Sequence, residues 1–392
     1  MKRETALTNL GREDVGFVNP PVVRGSTVIF ETWEEFQNSL EVDLKDGPYT
    51  YGLLSTPTER ALEQLLAEID SAAGAVVVES GLAAVTIGLM NAVSAGDHLL
   101  MVDTCYGPTR IFCDGLLKRL GVETEYYDPH LSREGHPPID SLFRDNTRLV
   151  YMESPGSRTF EMQDVPAIAA ACKARGIVTV IDNTWATPLG FRPIEHGVDI
   201  VVHAMTKYMG GHSDVMLGGI TTRDRETWDR VKLTAMDLGH GCSPDDAWLG
   251  LRGMRSLAAR LDRHERSAMK VARWIQSRPE IKRVMYPALP EDPGHEIWKR
   301  DFDRATGLFG VLLHPVEDAA VKRMVEDMDH FRMGYSWGGY ESLLLPLDPR
   351  RGVRTASEMP DDGMVLRISV GLEDPDDLID DLSRGLDRLQ GS

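Results

Sequence analysis

Short, continuously apolar runs alternate with longer amphipathic stretches over residues 56–250. The runs at 75–78, 98–102, 123–127, 148–152, 177–181 and 199–203 have strand length. The segments 80–95, 108–120 and 165–175 between them have helix length, and Asp164 stands as N-cap of the last. Strands that are apolar throughout are buried on both faces, so this order predicts an α/β unit with a mostly parallel sheet covered by helices. The flanks read differently. Residues 1–55 are punctuated by Asn19-Pro20-Pro21, Gly25-Ser26 and Asp46-Gly47-Pro48 and have little apolar period outside 33–40. That predicts an irregular arm that cannot bury itself and lies on another surface, such as a second subunit. After 250 the pattern predicts one long, Arg-rich amphipathic helix over 248–275, strands at 310–313 and 365–369, and helices at 319–328 and 376–389. The expected organisation is an arm (1–55), an α/β domain (56–250) and a smaller α+β domain (251–392).

A length of 392 residues accommodates two or three such units. The 61 acidic against 43 basic side chains leave a net charge of −18, which argues against a nucleic-acid or anionic-membrane partner. A local cationic pocket for a small anion is compatible with that balance. Cys105, Cys113, Cys172 and Cys242 form no CxxC pair, and no histidines show zinc-ligand spacing, so reduced thiols and no metal are expected. The N-terminal residues lack a secretory apolar stretch, and the most apolar window is broken by Glu79, Ser80, Gly81 and Asn91. The expected location is the cytoplasm.

Open α/β sheets bind ligands at the carboxyl ends of their strands. Four features fall there. Asp182 ends the run 177–181; it either caps the next element or pairs with a cationic ring nitrogen. Lys207 follows the run 199–203; it is either a solvated lysine or an amine poised to form a Schiff base. Glu79-Ser80-Gly81-Leu82 is a strand-to-helix turn, an ordinary N-cap or a phosphate cradle, with neither GxGxxG nor a P-loop lysine. Tyr106 follows the run 98–102 and can pack in its loop or stack on an aromatic ligand. Together they suit pyridoxal 5′-phosphate (PLP): a lysine for its aldehyde, a carboxylate for its ring nitrogen, amides for its phosphate and a ring to stack on it.

Asp182-Asn-Thr-Trp-Ala-Thr-Pro together with Thr206-Lys207-Tyr-Met-Gly-Gly-His-Ser-Asp214 resembles the signature of the Cys/Met-metabolism PLP enzymes. The likeness extends to Tyr106, Leu149-Val-Tyr-Met-Glu-Ser-Pro-Gly156, Leu251-Arg-Gly-Met-Arg255, Gly334-Tyr-Ser-Trp-Gly-Gly-Tyr-Glu-Ser342 and Leu366-Arg-Ile-Ser-Val-Gly-Leu-Glu-Asp374. The resemblance implies fold type I, with a seven-stranded type of sheet, and a homotetramer built as a dimer of dimers. It implies Lys207 as Schiff-base lysine and proton shuttle, Asp182 at the pyridinium and Tyr106 on the ring. The Gly81 and Leu82 amides, the Thr206 hydroxyl and Tyr51 of a neighbouring subunit would hold the phosphate. Arg367 would grip the substrate α-carboxylate, with Tyr335, Ser336 and Trp337 beside it. Within the family, Tyr335-Ser336-Trp337 resembles the bacterial cystathionine β-lyases. That implies α,β-elimination of cystathionine or other cysteine S-conjugates to a thiol, pyruvate and ammonia. The alternatives are γ-chemistry on methionine or an O-acyl-homoserine, and a non-catalytic regulator. Leu53 and Leu54 stand where the resemblance leads one to expect arginines, which predicts tolerance of apolar S-alkyl groups. Ala204 stands where many members have serine, leaving Arg24 as a candidate to offset the phosphate charge.

Overall fold

The computed structural model describes residues 1–12, 16–41, 43–348, 353–359 and 363–389. Each of the six apolar runs of the α/β region is a strand: β1 Gly74–Val78, β2 His98–Val102, β3 Glu123–Tyr127, β4 Thr147–Glu153, β5 Val178–Asp182 and β6 Ile200–His203. A seventh, β7 Gly218–Thr222, completes a sheet of order β1-β7-β6-β5-β4-β2-β3. The pairs among β2 to β6 are parallel, whereas β7 runs antiparallel to both β1 and β6. The pattern of the chain did not announce β7, because Gly-Gly-Ile-Thr-Thr holds one aliphatic residue. Its glycines are demanded by packing: a Cβ on Gly218 would lie 2.1 Å from the Ser80 carbonyl oxygen, and one on Gly219 2.6 Å from Leu66.

A second, antiparallel sheet of order β10-β11-β9-β8 follows, from β8 Ile281–Met285, β9 Leu308–Leu313, β10 Leu343–Leu347 and β11 Val365–Ser369. The edge strands β8 and β10 escaped the apolar pattern. Lys282 and Arg283 of β8 face solvent, and Pro346 of β10 is tolerated because an edge strand has a row of unpaired groups.

Two expectations are corrected. The helix expected over 248–275 is two, Pro244–Arg255 and Leu257–Gln276, broken at Ser256. Leu251 and Met254 of the first and Leu257 and Leu261 of the second pack with Leu62 and Leu65, whereas Val271 and Ile275 further along the second join the larger core. The arm opens with a helix, Arg3–Asn9, that buries Ala6 and Leu7, too short to show a period in sequence. Arg255 donates to the carbonyls of Leu7 and Leu10, both at 2.6 Å, and so closes that helix's end. Further along the arm several large apolar side chains lie on the surface. Phe17, Val18, Ile29, Trp33 and Leu40 are strongly exposed. Among the described residues, no helix is long and apolar enough to cross a membrane.

Candidate active site

The parallel strands deliver chemistry at their carboxyl ends. Glu153 ends β4 directly opposite Asp182, which ends β5. Side by side and buried, both carboxyls are pushed above their ordinary range, by burial first; for Glu153 the Asp182 charge comes next. On Asp182 the Thr184 amide (2.9 Å), His203 and Lys207 pull the other way. A cation brought to Asp182 would therefore relieve a real electrostatic cost. Glu153 also accepts from the Tyr106 amide (2.7 Å) and the Ser157 hydroxyl (2.5 Å), tying the loop after β2 to the loop after β4. Glu153 carries no expected role from its motif, although its place at a strand end was the available signal.

Lys207 lies four residues past the end of β6, in a tightly wound loop. Its amide donates to Ala204 (3.0 Å), and the Gly210 amide to Met205 (2.7 Å). Arg260, buried, clamps this loop to the helix Pro244–Arg255 by donating to the carbonyls of Tyr208 (2.7 Å), Met209 (3.4 Å) and Gly253 (2.8 Å). Gly211 (φ +71°) leaves room for that guanidinium, whose Nη1 would lie 2.0 Å from a Cβ there. Lys207 Nζ donates to Ser336 Oγ at 3.0 Å and lies 5.5 Å from the Trp337 ring centre. Burial, then the Arg367 charge, lower its pKa to about 8 against the pull of Asp182.

Arg367 comes from the middle of β11. Its Nη2 donates to the carbonyls of Tyr335 (2.7 Å), Ser336 (3.1 Å) and Gly334 (3.4 Å). No carboxylate pairs with it among the described residues, so its charge is available to an anion. Ser336 thus joins the amine and the guanidinium: its hydroxyl accepts from Lys207 and its carbonyl from Arg367. Trp337 packs on Tyr208 with ring centres 5.4 Å apart. Tyr335 differs from expectation. It contributes its carbonyl, while the side chain projects into solvent (89% exposed). Tyr106 is half-exposed, and its phenol pKa is raised by burial and by Asp182 and Glu153, against the pull of Arg367.

The helix Gly81–Met90 begins at the end of β1, capped by Ser80 Oγ, which accepts from the Ala83 amide (3.1 Å). Among the described residues nothing accepts from the Gly81 and Leu82 amides, so two donors and a helix N-terminus are open to an anion. A Cβ on Gly81 would lie 2.5 Å from that of Ala204, so the turn packs directly onto the lysine loop. Open amides, a raised carboxyl and a depressed lysine form the donor set that PLP requires, and these residues fit it. Two expected contacts look different. The Thr206 hydroxyl is occupied at both ends by Leu217, accepting from its amide (2.9 Å) and donating to its carbonyl (3.2 Å). Arg24 is already paired with Asp245. Tyr51 is half-exposed on the arm, bridged to Thr27, and no hydrogen bond or ring contact joins it to Lys207, Asp182 or Arg367 among the described residues.

The chain is similar to known proteins over its whole length. The profile of the family described as Cys/Met metabolism PLP-dependent enzyme matches residues 4–387. A putative cystathionine β-lyase of Rhizobium johnstonii is 47% identical over 388 residues, covering 97% of this chain and 95% of that protein. The L-alanine/L-glutamate racemase of Wolbachia pipientis wMel is 38% identical, covering 99% and 98%. The cystathionine β-lyase MetC of Escherichia coli is also 38% identical, covering 99% of each chain. Among solved structures, metB from Corynebacterium glutamicum superposes with a TM-score of 0.90 at 31% identity, covering 99% of this chain and 98% of that one.

Proposed function

Because the chain belongs to the Cys/Met metabolism PLP-dependent enzymes, we propose that it is a carbon–sulfur β-lyase that splits S-substituted L-cysteines, cystathionine among them. The observation that carries this reading is the Ser336 junction, which sets an amine of lowered pKa beside an unpaired guanidinium. PLP, when bound, supplies an aldehyde for the substrate amine and a cationic ring that accepts electrons from Cα. Arg367 grips the α-carboxylate with a two-pronged hydrogen bond. Lys207, neutral in part near pH 8, takes the Cα proton and afterwards returns it to the departing sulfur. With PLP bound, Asp182 would hold the ring nitrogen's charge, the Gly81 and Leu82 amides would anchor the phosphate, and Tyr106 would cover the ring. Trp337 walls the amine from water. With one water consumed, the thioether yields a thiol, pyruvate and ammonium.

The same reading has the exposed arm covered by a second copy, whose Tyr51 reaches this site, in a homotetramer built as a dimer of dimers working in the cytoplasm. Its test is a panel of L-amino acids with product identification. Pyruvate from S-substituted cysteines, abolished in Lys207→Ala, is expected. Formation of 2-oxobutyrate would assign γ-chemistry instead. D-alanine or D-glutamate without keto acid would assign racemisation, which uses the same lysine on the same proton.

A further inference from the structure

Arg158 is a cation that this mechanism does not use. It lies in the turn after β4, with its backbone in the left-handed region (φ +74°), a strained conformation for a residue with a side chain. The turn is pinned there: the Ser157 amide donates to the Thr104 carbonyl (2.9 Å), the Gly156 amide to Glu161 (2.9 Å) and the Phe160 amide to Gly156 (3.0 Å). The Arg158 carbonyl oxygen lies 3.1 Å from where a Cβ on Gly310 would stand, and Gly310 is the residue directly opposite Arg367 across β9 and β11. Directly opposed residues share a sheet face, so the turn rests on the face that carries the Arg367 side chain. At its other end, Nη2 lies 3.8 Å from a Cβ position on Gly107, the residue after Tyr106. Arg158 therefore bridges the two walls of the cleft.

Among the described residues, its guanidinium has neither a hydrogen bond nor an ion pair. Nearby arginines are engaged: Arg110 with Asp103, and Arg354 with Glu161 and Thr159. Arg158 is exposed and Arg367 half-buried, so the cleft offers an incoming anion two cations that no carboxylate of the described residues neutralises. Arg367 registers this: burial, and then the charge of Arg158, bring its pKa down to about 10.

We infer that Arg158 is the subsite for a second carboxylate, carried on the sulfur substituent, and so selects cysteine thioethers with an acidic S-substituent. The inference rests on the β-lyase reading, and it replaces the tolerance of apolar S-alkyl groups expected from Leu53 and Leu54. A cation missing from the arm is supplied from the turn after β4.

The test compares wild-type, Arg158→Gln and Arg158→Lys holoenzyme on S-(2-carboxyethyl)-L-cysteine and S-propyl-L-cysteine. Losing a charge-assisted hydrogen bond predicts a fall in kcat/KM of about 10- to 100-fold for the acidic substrate, through KM, with partial retention in Arg158→Lys. The propyl substrate should stay within about twofold, since it makes no such bond. Equal losses on both substrates, or none on either, overturn the assignment. Arg158→Gly relieves the left-handed strain; it should lose selectivity as Arg158→Gln does, and its keeping the selectivity would also overturn the subsite. Calorimetric titration of the holoenzyme with pimelate and with hexanoate gives a readout free of turnover. Wild type should favour the dicarboxylate and Arg158→Gln should not. That preference would support the subsite even if no thioether released pyruvate, and its absence in wild type would overturn the subsite with the lyase reading intact.

Discussion

The amine of Lys207 and the guanidinium of Arg367 meet at one serine, so removing the guanidinium should change the acidity of the amine. At a pKa of about 8, about 9% of Lys207 is neutral at pH 7, against about 0.03% for an ordinary lysine. Burial is the larger cause and Arg367 the second. With Lys207 on Ser336 Oγ and Arg367 on the Ser336 carbonyl, the charges lie roughly 7 Å apart, worth about 2 kcal/mol at an effective dielectric near 20; solvent screening lowers this to about one pKa unit. Arg367→Met keeps the aliphatic bulk and removes the charge. The assay is the rate at which apoprotein at saturating PLP gains the visible absorbance of the attached cofactor, followed from pH 6 to pH 10, because only the neutral amine attacks the aldehyde. The wild-type rate should be half-maximal near pH 8. In Arg367→Met the midpoint should move up by about one unit, with a roughly tenfold lower rate at pH 7 and convergence at the alkaline end. Arg367→Lys keeps the charge and should keep the midpoint. Reading the midpoint rather than the amplitude separates acidity from any loss of affinity. A midpoint in Arg367→Met equal to or below that of wild type would refute the reasoning.

Two further outcomes test how the site is supported. Gly253→Ala would set a Cβ 2.3 Å from the Gly210 carbonyl oxygen and 2.4 Å from that of Met209, both backbone of the lysine loop. A loss of about 1–3 kcal/mol in urea unfolding is expected, with weaker retention of PLP; a variant as stable as wild type would deny the close approach. Asp103 accepts from the amides of Thr355 (3.0 Å), Ala356 (2.9 Å) and Ser357 (2.8 Å) and pairs with Arg110. Burial opposes its charge, but these donors win and hold its pKa below the ordinary value. A lowered carboxyl pKa contributes stability that is present above about pH 4 and is lost as pH falls through the folded value. Asp103→Asn should therefore unfold at lower urea than wild type at pH 7, with the gap closing under acid. A gap that widens on acidification would contradict the sign.

Five of the six runs of the α/β region became strands that are mostly buried on both faces, a condition legible in composition; the sixth, Glu123–Tyr127, is a partly exposed edge strand held by its pairing with β2. Asp182 and Lys207 were legible for the same reason: a charged residue just past such a run stands at the rim of a buried sheet. β7, β8 and β10 were not legible. Their residues are small, charged on one side or interrupted by proline, and the neighbouring strands make them strands. The break at Ser256 was hidden because the stretches on both sides of it are amphipathic and residues flanking it, Met254 and Leu257, share one core. Tyr335 and Thr206 show a limit of another kind: a motif names a residue without saying whether its side chain or its backbone faces the site, or whether its hydroxyl is already taken.

The sequence by itself determined the family and the cofactor chemistry and pointed to Lys207, Asp182 and Arg367 as the residues proposed to serve it, because these are properties of residue type at a strand end or in a contiguous motif. Only the tertiary structure decided which charges are paired. Arg24 is taken by Asp245, Arg260 by two carbonyls of the lysine loop and one of the helix Pro244–Arg255, and Glu153 presses on Asp182, while Arg158 and Arg367 are left facing one cleft. Pairing depends on distances between residues far apart in the chain, and electrostatic energy depends on those distances and on burial.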